Sequence, residues 1–178
     1  MSRLTTLLTS AIVAFALAGV ALAQPQDAPE QTEQPGAATG AEQGDQPAIE
    51  TEDGRVVFRD PLTNEVLDVP QEDVTPAVEE FHQTGENPYS GDEEAAADGR
   101  TLYGRLCAAC HLPAGTGRIG PSLVDDNWRY PRADTDVGVF EVICAGGAGA
   151  MMAFCPRISQ DEILRIMAHI DQLRADAQ

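Results

Sequence analysis

Cys107-Ala108-Ala109-Cys110-His111 decides how the rest of this chain is read. Two thiols separated by two residues, with a histidine directly after the second, form the attachment pattern of c-type haem. The thiols add across the two porphyrin vinyl groups as thioethers, and the imidazole then reaches the iron from one face. A helical turn carries Cys107 and Cys110 to the same side. The expectation is one covalent haem c, bonded to Cys107 and Cys110 and ligated by His111. Every other segment then walls the porphyrin, supplies a second iron ligand, or brings the group to a partner. The competing reading joins all four cysteines in a zinc site, because the first pair has CxxC spacing. Cys144 and Cys155, with ten residues and a glycine-rich insert between them, fit zinc poorly, and His111 would be left over.

Upstream, Arg3, the apolar run Leu7–Leu22 and the small-x-small site Ala21-Leu22-Ala23 read as a secretory signal over residues 1–23, cleaved after Ala23. The run is short for a membrane span, so none is expected after cleavage. The mature chain then begins near Gln24 in the periplasm, outside the cytoplasm, where bacteria complete covalent haem attachment. The charge of the full sequence is one-sided: 11 arginines and no lysine stand against 29 Asp and Glu, for a net charge of −18. Such a surface disfavours nucleic acid and anionic membrane as partners and favours a protein with a basic docking patch. The chain is expected to be a monomer.

Residues 24–54 read as a disordered acidic leader. Up to Asp53 they have no aromatic residue, and Ile49 is the only large aliphatic one. Such a segment cannot bury enough apolar surface to offset its ordering entropy. Residues 55–91 read as an N-terminal extension. Arg55–Arg59 and Glu65–Val69 look like two short strands around Asp60-Pro61-Leu62-Thr63-Asn64, a good hairpin turn. Pro76–Gln83 reads as a short helix stopped by Thr84-Gly85. Its His82 is taken as a surface histidine rather than an iron ligand.

Residues 92–178 read as the haem domain. Asp92 is a helix N-cap followed by Glu93 and Glu94 in the first turn. The helix runs toward Cys107, with Gly99, Tyr103 and Cys107 on one face. A mid-helix glycine costs about 1 kcal/mol against alanine, so Gly99 asks for close approach of another helix. That partner is the closing helix, opened by a capping box of Ser159 and Glu162 and a staple of Ile158 and Ile163. Ile163, Ile166, Met167, Ile170 and Leu173 give it an apolar stripe. Met167 reads as core and His169 as helix surface. The fold expected is all-α, with N- and C-terminal helices packed around one haem and a short β-hairpin in the extension.

Around the haem, the carbonyl of Pro121 is placed to accept the imidazole proton of His111 and fix the ring. Trp128 and Tyr130, with the guanidinium of Arg129 or Arg132, are candidates for wrapping the propionates; ordinary core packing is the alternative for the two aromatics. The second iron ligand belongs on a flexible segment, and Gly146–Phe154 carries Met151 and Met152. A thioether opposite histidine favours ferrous iron and fills the sixth position, which suits electron transfer and not oxygen or peroxide chemistry. Met152 is taken as the ligand and Met151 as the runner-up, the other packing the haem edge. Cys144 and Cys155 flank this loop, and in an oxidising compartment a disulfide between them would pin its base, contributing about 3 kcal/mol at most.

Assembled, these residues resemble class I cytochromes c, through Gly99-xxx-Tyr103-xxx-Cys107-xx-Cys110-His111, Gly120-Pro121-x-Leu123, the methionine loop and the closing helix. More narrowly, the chain is similar to the cytochromes c-L, electron acceptors of PQQ-dependent methanol dehydrogenases. That likeness rests on Val57-Phe58-Arg59, the Asp60–Val69 hairpin, Thr84-Gly85-Glu86-Asn87-Pro88-Tyr89 and Trp128-x-Tyr130-Pro131. It continues in Asp136–Glu141 and in Gly146-Gly147 before Met151-Met152. It implies a class I cytochrome c fold and a one-electron carrier that is no enzyme. Such a carrier is reduced by a PQQ-dependent alcohol dehydrogenase and oxidised by a downstream cytochrome c or oxidase. Asp125 and Asp126 are the docking candidates. Two features depart from the family: Ala153-Phe154-Cys155 precedes Pro156 where Gly-Pro usually follows the paired methionines, and Cys144 replaces an apolar residue. Two other functions share the haem motif, a general class I carrier and a haem sensor or peroxidase with an open sixth site.

Overall fold

A computed structural model describes residues 49–72 and 74–178. The signal sequence and the leader up to residue 48 lie outside the described residues. The described chain opens with a short antiparallel ladder, β1 (Thr51–Glu52) against β2 (Arg55–Val56), turned through Asp53 and Gly54 at φ 52° and 77°. The helices follow as α1 (Pro76–Thr84), α2 (Glu93–Leu106), the single turn α3 (Ala108–His111), α4 (Asp136–Ala145) and α5 (Gln160–Asp176), with a 3-10 turn over Pro131–Asp134 ahead of α4.

α2 and α5 form the frame. The Asp92 carboxylate caps α2 by accepting the Ala95 N–H at 2.9 Å. At Gly99 an added Cβ would lie 1.8 Å from the Arg165 carbonyl oxygen of α5, so no other residue fits. The intrinsic cost of that glycine is offset by the close approach it permits. α5 begins with a full capping box, Ser159 Oγ accepting the Glu162 N–H at 3.2 Å and the Glu162 carboxylate accepting the Ser159 N–H at 2.9 Å. Its buried face is wider than the expected stripe, because α1, α2 and α4 all pack on it. Leu164, Ala168 and His169 are therefore buried as well. His169, expected on the surface, stands edge-on to Tyr103 at 5.2 Å, and its Nδ1 has no hydrogen-bond partner among the described residues.

α4 is the helix that the sequence hides. Val137, Val139, Val142 and Gly138 argue against a helix by propensity. Thr135 nevertheless caps it, accepting the Gly138 N–H at 3.1 Å, and Asp136 sits in its first turn. Burial of Val137, Phe140, Ile143 and Cys144 supplies the driving force. Gly138 is required because a Cβ there would meet the Arg132 carbonyl at 1.8 Å.

The extension is docked, not appended. Its hairpin is smaller than expected: one antiparallel bridge, Arg59 with Val66, flanked by Asp60 N–H to Glu65 O and Leu67 N–H to Phe58 O. The regular ladder lies one turn earlier and recruits Thr51 and Glu52, so the disordered reading of the leader fails for those residues. Glu50 also pairs with the Arg59 guanidinium. α1 ends as expected at Gly85, φ 75°, and Thr75 caps its start. The rings of Phe58, Phe81 and Phe140 meet in a triangle with centroids 5.0–5.6 Å apart, joining the extension to α4. Asn87 is buried and donates to the Leu164 carbonyl of α5 at 2.9 Å, while the Asp136 carboxylate accepts its backbone N–H at 2.7 Å. His82 is likewise buried, a correction to the surface reading, because the extension folds over α1. Its Nδ1 is 2.7 Å from the Arg55 guanidinium and its Nε2 is 2.7 Å from Gln160 Oε1. Arg55 has only protons to give, so the ring is neutral and donates through Nε2.

Candidate haem site

The attachment motif occupies one turn at the end of α2. Cys107 O accepts the N–H of both Cys110 and His111 at 3.0 Å, so the thiols and the imidazole leave a single rigid turn. Cys107 and Cys110 are unpaired and half-buried. Burial, and then the neighbouring Cys110, pushes the Cys107 thiol up to about 11, so it is protonated there. Both sulfurs are unpaired and so remain available for thioether bonds. Cys144 and Cys155 are joined in a disulfide with Cα atoms 4.5 Å apart, so a four-sulfur zinc site is ruled out by the partners of these two sulfurs.

His111 is aimed. Its Nδ1 lies 2.9 Å from the Pro121 carbonyl, which accepts the ring proton and leaves the Nε2 lone pair for a metal. The loop can pass the ring only because residue 120 is glycine: a Cβ there would lie 2.5 Å from His111 Cε1. The Gly120 N–H returns to the Cys110 carbonyl, and the Gly117 N–H, at φ 82°, caps the His111 carbonyl at 2.9 Å. Leu112 sits at φ 64° and ψ 157°, a region almost confined to glycine that costs about 1–3 kcal/mol for a residue with a Cβ. The Tyr103 hydroxyl holds it there by donating to the Leu112 carbonyl at 2.9 Å. Two unpaired thiols, an oriented imidazole and a glycine cradle beside it together fit a covalent haem c.

The loop between α4 and α5 is pinned at its base. Phe154 N–H bonds the carbonyls of Ile143 and Cys144 at 3.1 Å, and Cys155 N–H bonds the Cys144 carbonyl at 3.2 Å, beside the disulfide. Within the loop Gly147 N–H bonds the Met151 carbonyl at 3.1 Å. The two methionines diverge here. Met151 is half-buried and packs against the hydrophobic core, whereas Met152 is 51% exposed.

Three of the four groups expected around the propionates have partners that the sequence did not disclose. Arg174, from the last turns of α5, lies over the Trp128 ring at 4.9 Å and donates to Asp126 at 2.7 Å. The Tyr130 hydroxyl accepts the Ala148 N–H of the methionine loop at 2.5 Å. Arg132 is corrected outright: its guanidinium grips Glu141 through two bonds of 2.9 and 2.7 Å, and Glu141 is 1% exposed on α4. The same carboxylate accepts the Arg59 N–H at 2.7 Å, so one buried charge ties the extension, the 3-10 turn and α4 together. A lone carboxylate inside an apolar helix was the available signal. Arg129 remains exposed.

The model of the cytochrome C oxidase, cbb3-type, subunit III family matches residues 94–170, from the first turn of α2 into α5. The cytochrome c-L of Methylorubrum extorquens is 36% identical over 171 residues, spanning 92% of this chain and 75% of that protein. The crystal structures of cytochrome cL from Methylophaga aminisulfidivorans and Hyphomicrobium denitrificans are each 39% identical to this chain and cover 65% of it. They align with TM-scores of 0.62 and 0.60, over 79% and 72% of their own lengths. With that much identity spread over most of both chains, the protein belongs to the cytochrome c-L family: a class I cytochrome c that carries electrons on one covalent haem and is not an enzyme.

Proposed function

We propose that this cytochrome is a periplasmic carrier that accepts single electrons from a PQQ-dependent methanol or other alcohol dehydrogenase. It passes them to a downstream cytochrome c or oxidase. The observation that carries this reading is likeness to a cytochrome c-L over 92% of the chain, extension included, and not over the haem motif alone. Bound haem supplies an iron that gains and loses one electron. The chain's own task is to hold that iron with little rearrangement. His111, fixed by Pro121, would hold the iron through Nε2. A methionine would be the second ligand, and the geometry favours Met151 over the Met152 expected from sequence, because Met151 packs against the core and Met152 faces solvent. With His111 and a methionine both holding the iron, small oxidants would be kept off it, which supports a carrier over a sensor or peroxidase.

The direct experiment mixes the oxidised holoprotein with purified PQQ methanol dehydrogenase and methanol and follows haem reduction by absorbance. Rapid stoichiometric reduction is expected. A protein left oxidised by this donor, yet reduced by an unrelated dehydrogenase, would return the general-carrier reading. Localisation has its own check: mass spectrometry of the secreted holoprotein from a bacterial host should place the first residue near Gln24, and a retained leader peptide would contradict it.

A further inference from the structure

The methionine loop is fastened at its base by the disulfide and by the Phe154 and Cys155 N–H bonds, but these lie at the foot of the loop. Ala148, Gly149 and Ala150 are exposed, and a Cβ on Gly149, which is at φ 89°, would meet no atom within 4 Å beyond its chain neighbours. Apolar packing therefore does not fix the tip. The Tyr130 hydroxyl does contact it, accepting the Ala148 N–H at 2.5 Å. Tyr130 Oη and Met151 Sδ also lie 3.3 and 3.6 Å from one point, where a Cβ on Gly147 would sit, so phenol and thioether share a corner of the loop.

Tyr130 is itself well mounted. Its carbonyl accepts the Ala133 N–H at 2.9 Å, Pro131 opens the 3-10 turn, and Arg132 is locked onto buried Glu141. Glu141 and Cys144 belong to the same helix, so the tie at the tip and the tie at the base both run back to α4. We infer that Tyr130 is a positioning residue for the iron-binding methionine, its hydroxyl holding the loop tip so that the thioether stays on the iron. This rests on the reading that a methionine is the sixth ligand. Loss of a single hydrogen bond of this kind should raise the methionine-detached population about fivefold.

The test uses oxidised holoprotein with Tyr130→Phe, which keeps the ring and removes the acceptor. Imidazole competes for the sixth position, and its apparent affinity scales with the fraction of protein in which that position is open. Half-displacement of the far-red band that marks iron–methionine-sulfur bonding should occur at about one-fifth of the wild-type imidazole concentration. Thr75→Ala, which removes the α1 cap, is the control: it should lower the melting temperature and leave imidazole affinity unchanged. An unaltered affinity in Tyr130→Phe overturns the inference, and so does an equal shift in Thr75→Ala. A wild-type protein without the far-red band overturns the methionine reading and this inference together. Should Tyr130→Phe fail to assemble with haem, hydrogen exchange of the wild-type protein decides: the Ala148 amide should exchange more slowly than those of Gly149 and Ala150, and equal rates overturn the inference.

Discussion

A methyl group at position 120 decides whether the iron ligand can be aimed. In Gly120→Ala the new Cβ would meet the imidazole at 2.5 Å, so either His111 leaves the Pro121 carbonyl or the loop through Gly117 shifts. Overpacking of this kind costs about 1–3 kcal/mol, to be read from guanidinium unfolding of the holoprotein; an unchanged midpoint and slope would show that the cradle is slack. The methionines make a second residue-scale contrast. Met151→Ala should abolish the far-red band of the oxidised protein while Met152→Ala preserves it, and the opposite pattern would restore the preference drawn from sequence. Pro121 is expected beside His111 although that contact closes across ten residues, and Cys107, Cys110 and His111 are legible in the sequence because they share a single turn. Met151 and Met152 are not, because their directions depend on Gly146 at φ 88° and on Tyr130, a residue far away in the chain.

At the level of elements, legibility tracks whether the stabilising signal is local. α2 and α5 announce themselves through Asp92, Ser159 and Glu162, whose bonds close within one turn. α4 does not, because its Val-rich sequence is held by burial against partners distant in the chain, and near-complete burial erases the amphipathic period. The hairpin shows the same limit. Its turn around Asp60 forms, but the ladder depends on Glu50–Glu52, whose composition gave no hint of order. The Glu141 contact is a non-local tie, bridging Arg132, the Arg59 backbone and α4. Glu141→Gln leaves a largely buried guanidinium without its counter-charge and should cost about 3 kcal/mol. Thermal melting of the holoprotein reads this, and a fall of less than about 1 kcal/mol would mean that water replaces the carboxylate.

Across the whole molecule, two forces act on different parts of the pH and salt axes. Burial, opposed by the Gln160 hydrogen bond and reinforced by Arg55, holds His82 below its ordinary value of 6.5. Burial and Arg100 do the same to His169. Between 6.5 and those lowered values the unfolded chain binds more protons than the native one, so stability falls as pH drops through that window and levels off below it. His82→Gln should flatten the dependence of melting temperature on pH from 6.5 downward, with His169 carrying what remains; an unchanged slope would free His82 of this role. The net charge of −18 acts instead on encounter. Asp126 is paired with Arg174, which offsets its field, whereas Asp125 is fully exposed and is held ionised by the Asn127 N–H and by Ser122. If a basic dehydrogenase surface is steered toward this region, Asp125→Asn should slow haem reduction at low ionic strength more than Asp126→Asn does. Both effects should fade near 0.1 M salt, where the screening length shrinks to about 10 Å. Stopped-flow reduction by methanol dehydrogenase across that salt range measures them. A wild-type rate indifferent to salt would leave the acidity as a solvation device and place recognition in apolar contacts at the haem edge.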